Sequence, residues 1–151
     1  TLGLIVEATL RLTDPPLPSR VMLLGVESMD ALMNVFDALR TRLDLTAFEF
    51  FTDRALHHVR AGQGLPAPLD TGCPLYVIAE FDCPSEEQEE MAMTCFESCA
   101  EEGWLLDGVI SQSDRQIADL WRYREGISES ISHFPPYKND LSVTTSLGYT
   151  H

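Results

Sequence analysis

Hydrophobic positions along this chain switch repeatedly between two periods. Over 28–42 the apolar residues Leu32, Val35, Phe36 and Leu39 recur at steps of three and four, the signature of one helical face. Over 20–27, 46–51, 75–81 and 107–111 they alternate or run almost unbroken, as strands do. The run at 75–81 is too apolar for an exposed edge strand. Further helices are predicted over 52–60, opened by Thr52 or Asp53, and from Ser85 to about 102, where Ser85-Glu-Glu-Gln88 reads as a capping box. A loop is expected over 62–72. The order β-α-β followed by β-α-β predicts an α+β fold of the ferredoxin-like, split βαβ kind. Its antiparallel sheet is expected to carry helices on one face.

The last predicted helix holds the most chemistry. Ser113-Asp-Arg-Gln116 is a second capping box. From there Ile117, Leu120, Trp121, Arg124, Ile127, Ser128 and Ile131 recur at helical spacing, so Arg124 and Ser128 share the apolar face. Pro135 and Pro136 stop any continuation, and Lys138 follows at the start of a strand-like run. Two cations at the wall of an apolar core need an anion, and a small carboxylate is the obvious candidate. The plainer alternative stays open: Arg124 lies at the edge of the stripe and snorkels to solvent. Gly126 inside this helix costs about 1 kcal/mol relative to Ala. It reads either as room for a bulky substrate near the backbone or as drift.

These segments resemble the C-terminal substrate domain of FAD-linked oxidases of the glycolate oxidase and D-lactate dehydrogenase type. The family pattern Trp-x-x-Arg-Glu-x-Ile-x-Glu, then Tyr-Lys-x-Asp-x-Ser, is matched by Trp121, Arg124, Glu125, Ile127, Glu129, Tyr137, Lys138, Asp140 and Ser142. Residues 1–12 are similar to the Gly-Thr-Leu-Gly-Ile-x-Thr-Glu-Ala-Thr-Leu run that ends the flavin-binding domain, and 107–113 to the strand leading into the Trp-Arg helix. Val143-Thr144-Thr145-Ser146 departs from the family by lacking its usual proline.

The resemblance implies oxidation of a D-2-hydroxy acid, such as lactate, glycolate or 2-hydroxyglutarate, to a 2-oxo acid, with the α-hydrogen leaving as hydride to FAD. It implies Arg124, Lys138 and Ser128 as substrate-binding residues, with Arg124 gripping the carboxylate. It also implies that the backbone of Gly3, Leu4 and Ile5 approaches the flavin. Residues 1–13 are then expected to be the terminal strand of an FAD-binding domain that otherwise lies outside the chain. Residues 14–19, with Asp14-Pro-Pro-Leu-Pro18, are expected to be a stiff linker. Residues 20–151 are expected to form the substrate domain, cut short at its C-terminal side. The chain is thus expected to be a fragment, inactive alone, with FAD bound mostly by the domain outside it. The His-rich stretch that supplies a metal site in many relatives would lie beyond His151.

Composition narrows the partners. A formal net charge of −14 argues against nucleic acid and anionic membranes, and makes a local cationic pocket stand out. No apolar run approaches the roughly 20 residues of a membrane span. The four cysteines, Cys73, Cys83, Cys95 and Cys99, lack zinc-knuckle spacing and read as buried reduced thiols, which points to the cytoplasm. His57-His58 are adjacent on a helix and so point about 100° apart, not at one metal. Gly62-Gln-Gly64 is followed by Leu65-Pro66, which suits a surface turn better than a nucleotide loop. A homodimer is compatible with all of this, and the electron acceptor is unknown. The competing reading is a free-standing ferredoxin-like binding module without chemistry, since fold does not fix function.

Overall fold

The computed structural model describes residues 6–10 and 15–132. Its order is β1 (Ser19–Val26), α1 (Met29–Arg40), β2 (Leu45–Thr52), α2 (Asp53–Gln63), β3 (Leu75–Asp82), α3 (Glu86–Glu101), β4 (Asp107–Ile110) and α4 (Asp114–Ser130). The four strands form one antiparallel sheet in the order β2-β3-β1-β4. β3 lies between β1 and β2, so the two strands joined through α1 are not neighbours. This is the split βαβ topology that the pattern predicts.

The expected single layer of helices is corrected. Met22, Leu24 and Val26 pack with Leu32, Val35, Leu39, Ala92, Cys95 and Cys99, on the face covered by α1 and α3. Val21 and Leu23 pack with Leu56, Leu120 and Tyr123, on the opposite face covered by α2 and α4. The physical reason lies in β1. A strand buried on one face alternates apolar and polar, whereas Val21–Val26 is buried throughout. The β1α1β2β3α3β4 frame is the ferredoxin-like part, and α2 and α4 close its second face.

Local signals set the helix ends. Ser28, Thr52, Ser85 and Ser113 are N-caps, each accepting a hydrogen bond from the backbone N–H three residues on. At α4 the reciprocal arm of the box is displaced by one residue, because Gln116 Oε1 accepts from the Gln112 N–H at 2.6 Å. α2 runs past its predicted end to Gln63 and stops where Gly64 takes φ 66°, the left-handed cap. Residues 6–10, expected as strand, have no strand assignment and are exposed. A strand exists only with a hydrogen-bonded neighbour, and none of the described residues pairs with them.

Two ties hold the loop between α2 and β3 to the sheet. Asp107 Oδ2 accepts from the Thr71 N–H at 2.8 Å, and Oδ1 from the Gly108 N–H at 2.8 Å. Those backbone donors, Thr71 first, hold the Asp107 carboxyl below the usual carboxylate range. Gly25 supplies the other tie. A Cβ there would sit 2.2 Å from Cys73 Sγ and 3.2 Å from Leu69 Cδ1, so the loop lies directly on bare backbone.

Two stability tests arise here. Gly25→Ala should lower unfolding free energy by about 1–3 kcal/mol, the usual range for overpacking. In a Cys73→Ala background the same substitution should cost less, which urea titration of the four chains measures as a double-mutant cycle. Asp107 has a depressed folded pKa, so its stabilisation is present above its unfolded value of about 3.9 and is lost as pH falls through the folded value. Asp107→Asn should therefore flatten the acid limb of stability against pH, read as urea midpoints between about pH 3 and about pH 6.

Candidate functional site

Helix α4 lies across the sheet with Leu120, Tyr123 and Gly126 buried and with Ile117, Trp121 and Ile127 half-buried. The buried face is therefore rotated from the predicted stripe. Tyr123 replaces Arg124 at its centre, with its hydroxyl 3.4 Å from the Pro66 carbonyl that accepts from it. Burial pushes the Tyr123 phenol up from its ordinary range. Arg124 stands at the edge with 43% of its side chain exposed, and Ser128 is exposed.

Gly126 is explained by packing and not by substrate access. A Cβ at this position would come 3.0 Å from Val59 Cγ1 and 2.5 Å from Gln63 Nε2, both on α2. At the same crossing, a Cβ on Gly62 would meet Ser130 Oγ at 3.0 Å. Each helix presents a glycine to the other, which lets their backbones approach closely.

Two carboxylates on the sheet reach up to α4. Glu80 on β3 accepts from Trp121 Nε1 at 2.7 Å, and its other oxygen accepts from Ser19 Oγ at 2.9 Å. Glu49 on β2 accepts from Arg124 Nε through Oε2, and the two form an ion pair. Residues 121 and 124 are one turn apart, so the helix is tied at two adjacent points. The anion that an arginine at this place requires is thus supplied in part by the protein itself, a partner 75 residues away in sequence.

Arg124, Ser128 and Ile127 line an open groove with Glu49, Phe50, Thr52 and Ala55, of about 600 Å³. Among the described residues β2 is an edge strand, and there the groove lies at the border of the sheet. Glu49 uses only the Nε–H of a group with five N–H donors. Among the described residues nothing else bonds the guanidinium, so its terminal fork keeps donors for a second planar anion, and the Ser128 hydroxyl lies on the same wall. Lys138 and the backbone of Gly3, Leu4 and Ile5 lie outside the described residues, and so does the expected convergence of Lys138 with Arg124.

The glycine-rich helix opening that many dinucleotide sites use is not formed among the described residues. Gly62 is instead packed against α4, and Gly64 closes α2. Among the described residues no group of three or more His, Cys, Asp or Glu could hold a metal ion. The four thiols are free and buried. Burial, then the neighbouring Cys95, pushes Cys99 up to about 11, far from nucleophilic at neutral pH. Among the described residues no helix is long and apolar enough to cross a membrane.

Comparison with known proteins matches residues 16–147 to the family described as FAD linked oxidases, C-terminal domain. Over 146 residues the chain is 60% identical to a D-2-hydroxyglutarate dehydrogenase of Xanthomonas citri pv. viticola, covering 97% of this chain and 31% of that protein. Over 144 residues it is 51% identical to a D-2-hydroxyglutarate dehydrogenase of Stutzerimonas stutzeri, covering 95% and 31%. It is 31% identical over 147 residues to a mitochondrial D-2-hydroxyglutarate dehydrogenase of Bos taurus, covering 95% and 27%. The chain spans about a third of the length of these curated relatives.

The ion pair should matter little for folding. Both partners are more than a third exposed, and such pairs contribute about 0–1 kcal/mol. Glu49→Ala should shift the urea unfolding free energy of the chain by less than about 1 kcal/mol. Leu120→Ala should cost about 2–5 kcal/mol in the same titration.

Proposed function

The chain belongs to the FAD linked oxidases, as their C-terminal domain, and on that premise we propose that it is the substrate-facing part of a D-2-hydroxyglutarate dehydrogenase. The parent polypeptide oxidises a D-2-hydroxy acid to the 2-oxo acid, and 2-hydroxyglutarate is the acid. Identity of 60% across 97% of the chain with one such enzyme carries this reading. Family membership sets aside the free-standing binding module.

Oxidation of a secondary alcohol to a ketone removes two electrons and two protons. When bound, FAD supplies the electron acceptor, and it is held chiefly by the part of the polypeptide outside this chain. What these residues do is bind and orient. The Arg124 fork takes the substrate carboxylate bidentately, and Ser128, one turn along α4, donates a hydroxyl to the same ligand. To the same ligand we assign the charge of Lys138, and to the flavin the backbone of Gly3 to Ile5, all outside the described residues. Residues 1–13 belong to the FAD-binding domain, 14–19 link it, and 20–151 are the substrate domain. The four buried free thiols suit a reducing, cytoplasmic setting. A second copy of the enzyme, if it pairs through this domain, would add at β2 or β4, the edge strands among the described residues.

The test is kinetic and uses the parent polypeptide with a dye acceptor. D-2-Hydroxyglutarate should be oxidised with a higher kcat/KM than D-lactate or glycolate. Arg124→Lys should lower kcat/KM by at least about tenfold, or about 1.4 kcal/mol, because an ammonium cannot reproduce the planar fork. Preference for D-lactate would refute the substrate, and unchanged kinetics in a folded Arg124→Lys protein would remove Arg124 from the site.

A further inference from the structure

We propose that Glu49 is a positioning residue for substrate binding, holding the Arg124 guanidinium by its Nε edge so that the terminal fork faces the groove. The inference rests on the reading that Arg124 receives the substrate carboxylate. It concerns a residue on another element, distant in sequence, that matches no motif.

A guanidinium is planar and offers carboxylates two useful edges, one that includes Nε and one between the two terminal nitrogens. In the structure Arg124 Nε is bonded to Glu49 Oε2. That contact pins the Nε end of the group, and among the described residues no bond engages its terminal nitrogens, which are left for a ligand. Glu49 is well suited to the task because its backbone is held in the sheet, opposite Ile78 of β3. Arg124 is 43% exposed and Glu49 37% exposed, so the pair sits at the groove wall and not beneath it. Among the described residues lining the groove, Glu49 is the one acidic residue.

The competing physical effect is repulsion. Glu49 carries the same sign as the substrate and offsets part of the arginine's charge. In an open groove, solvent and salt weaken that repulsion. Orientation is not screened, since a long arginine side chain left unpartnered samples many rotamers and loses most of its encounters with a planar carboxylate. Orientation therefore wins, and removing Glu49 weakens substrate binding.

The experiment measures steady-state kinetics of the parent polypeptide with D-2-hydroxyglutarate and a dye acceptor. Glu49→Ala should raise KM by about fivefold or more, with kcat within about twofold of wild type. Glu49→Gln keeps an acceptor oxygen for Nε and should recover part of that loss. In an Arg124→Lys background, Glu49→Ala should add less than about twofold, because the group it orients is gone. Unchanged or lower KM in Glu49→Ala overturns the inference, and a lower value would identify Glu49 as a competitor of the substrate. An equal effect with and without Arg124 also overturns it. If wild type is active and Arg124→Lys is impaired while Glu49→Ala is normal, positioning alone fails. If wild type oxidises no D-2-hydroxy acid, the functional reading fails and this inference falls with it.

Discussion

Strand β1 carries apolar side chains on both faces, and each face has to be covered. Val21 and Leu23 point one way, and Met22, Leu24 and Val26 the other, all 0–1% exposed. Burying each such side chain contributes about 1.5–3 kcal/mol. Neither face can be left to water, so the sheet is enclosed by α1 and α3 on one side and by α2 and α4 on the other. The second layer is what brings the arginine-bearing helix to the sheet. β3 adds Tyr76 and Ile78 to the same second face, and the apolar surface that these two strands share is what α4 lies on.

Magnitudes separate what holds α4 from what aims its side chains. Leu120 and Tyr123 are buried at 9% and 7% exposure and anchor the helix through apolar area. The exposed pair between Arg124 and Glu49 contributes far less to stability. Its consequence is directional, since it sets where the guanidinium points. The glycine contacts at the α2–α4 crossing act between these extremes. They add no side-chain area, but they fix how closely the helices approach and hence the depth of the groove.

Much of the fold was legible in the sequence because its signals are local. Periodicity and capping serines located all eight elements, and the apolar run at 75–81 correctly marked β3 as an interior strand. The second helical layer was missed although its signal was present, in the unbroken apolar run of β1. Of the two placements that the periodicity leaves open for Arg124, the edge of the stripe is the one observed, because a wide helical stripe does not reveal which residue lies at its centre. Tyr123 holds that place. Glu49 was invisible from sequence, since nothing in Phe48-Glu-Phe50 announces a partner 75 residues away. Gly126 stays between substrate access and drift in the sequence, because its true neighbours, Val59 and Gln63, come from another helix.

The central claim is that the edge of α4 presents a preoriented guanidinium to a substrate carboxylate. A crystal structure of the parent polypeptide with D-2-hydroxyglutarate or its 2-oxo product tests it directly. A carboxylate is expected on the terminal nitrogens of Arg124 at about 2.7–2.9 Å, with Nε still on Glu49. A ligand whose carboxylates are held elsewhere, with Arg124 facing only Glu49 and solvent, would contradict it.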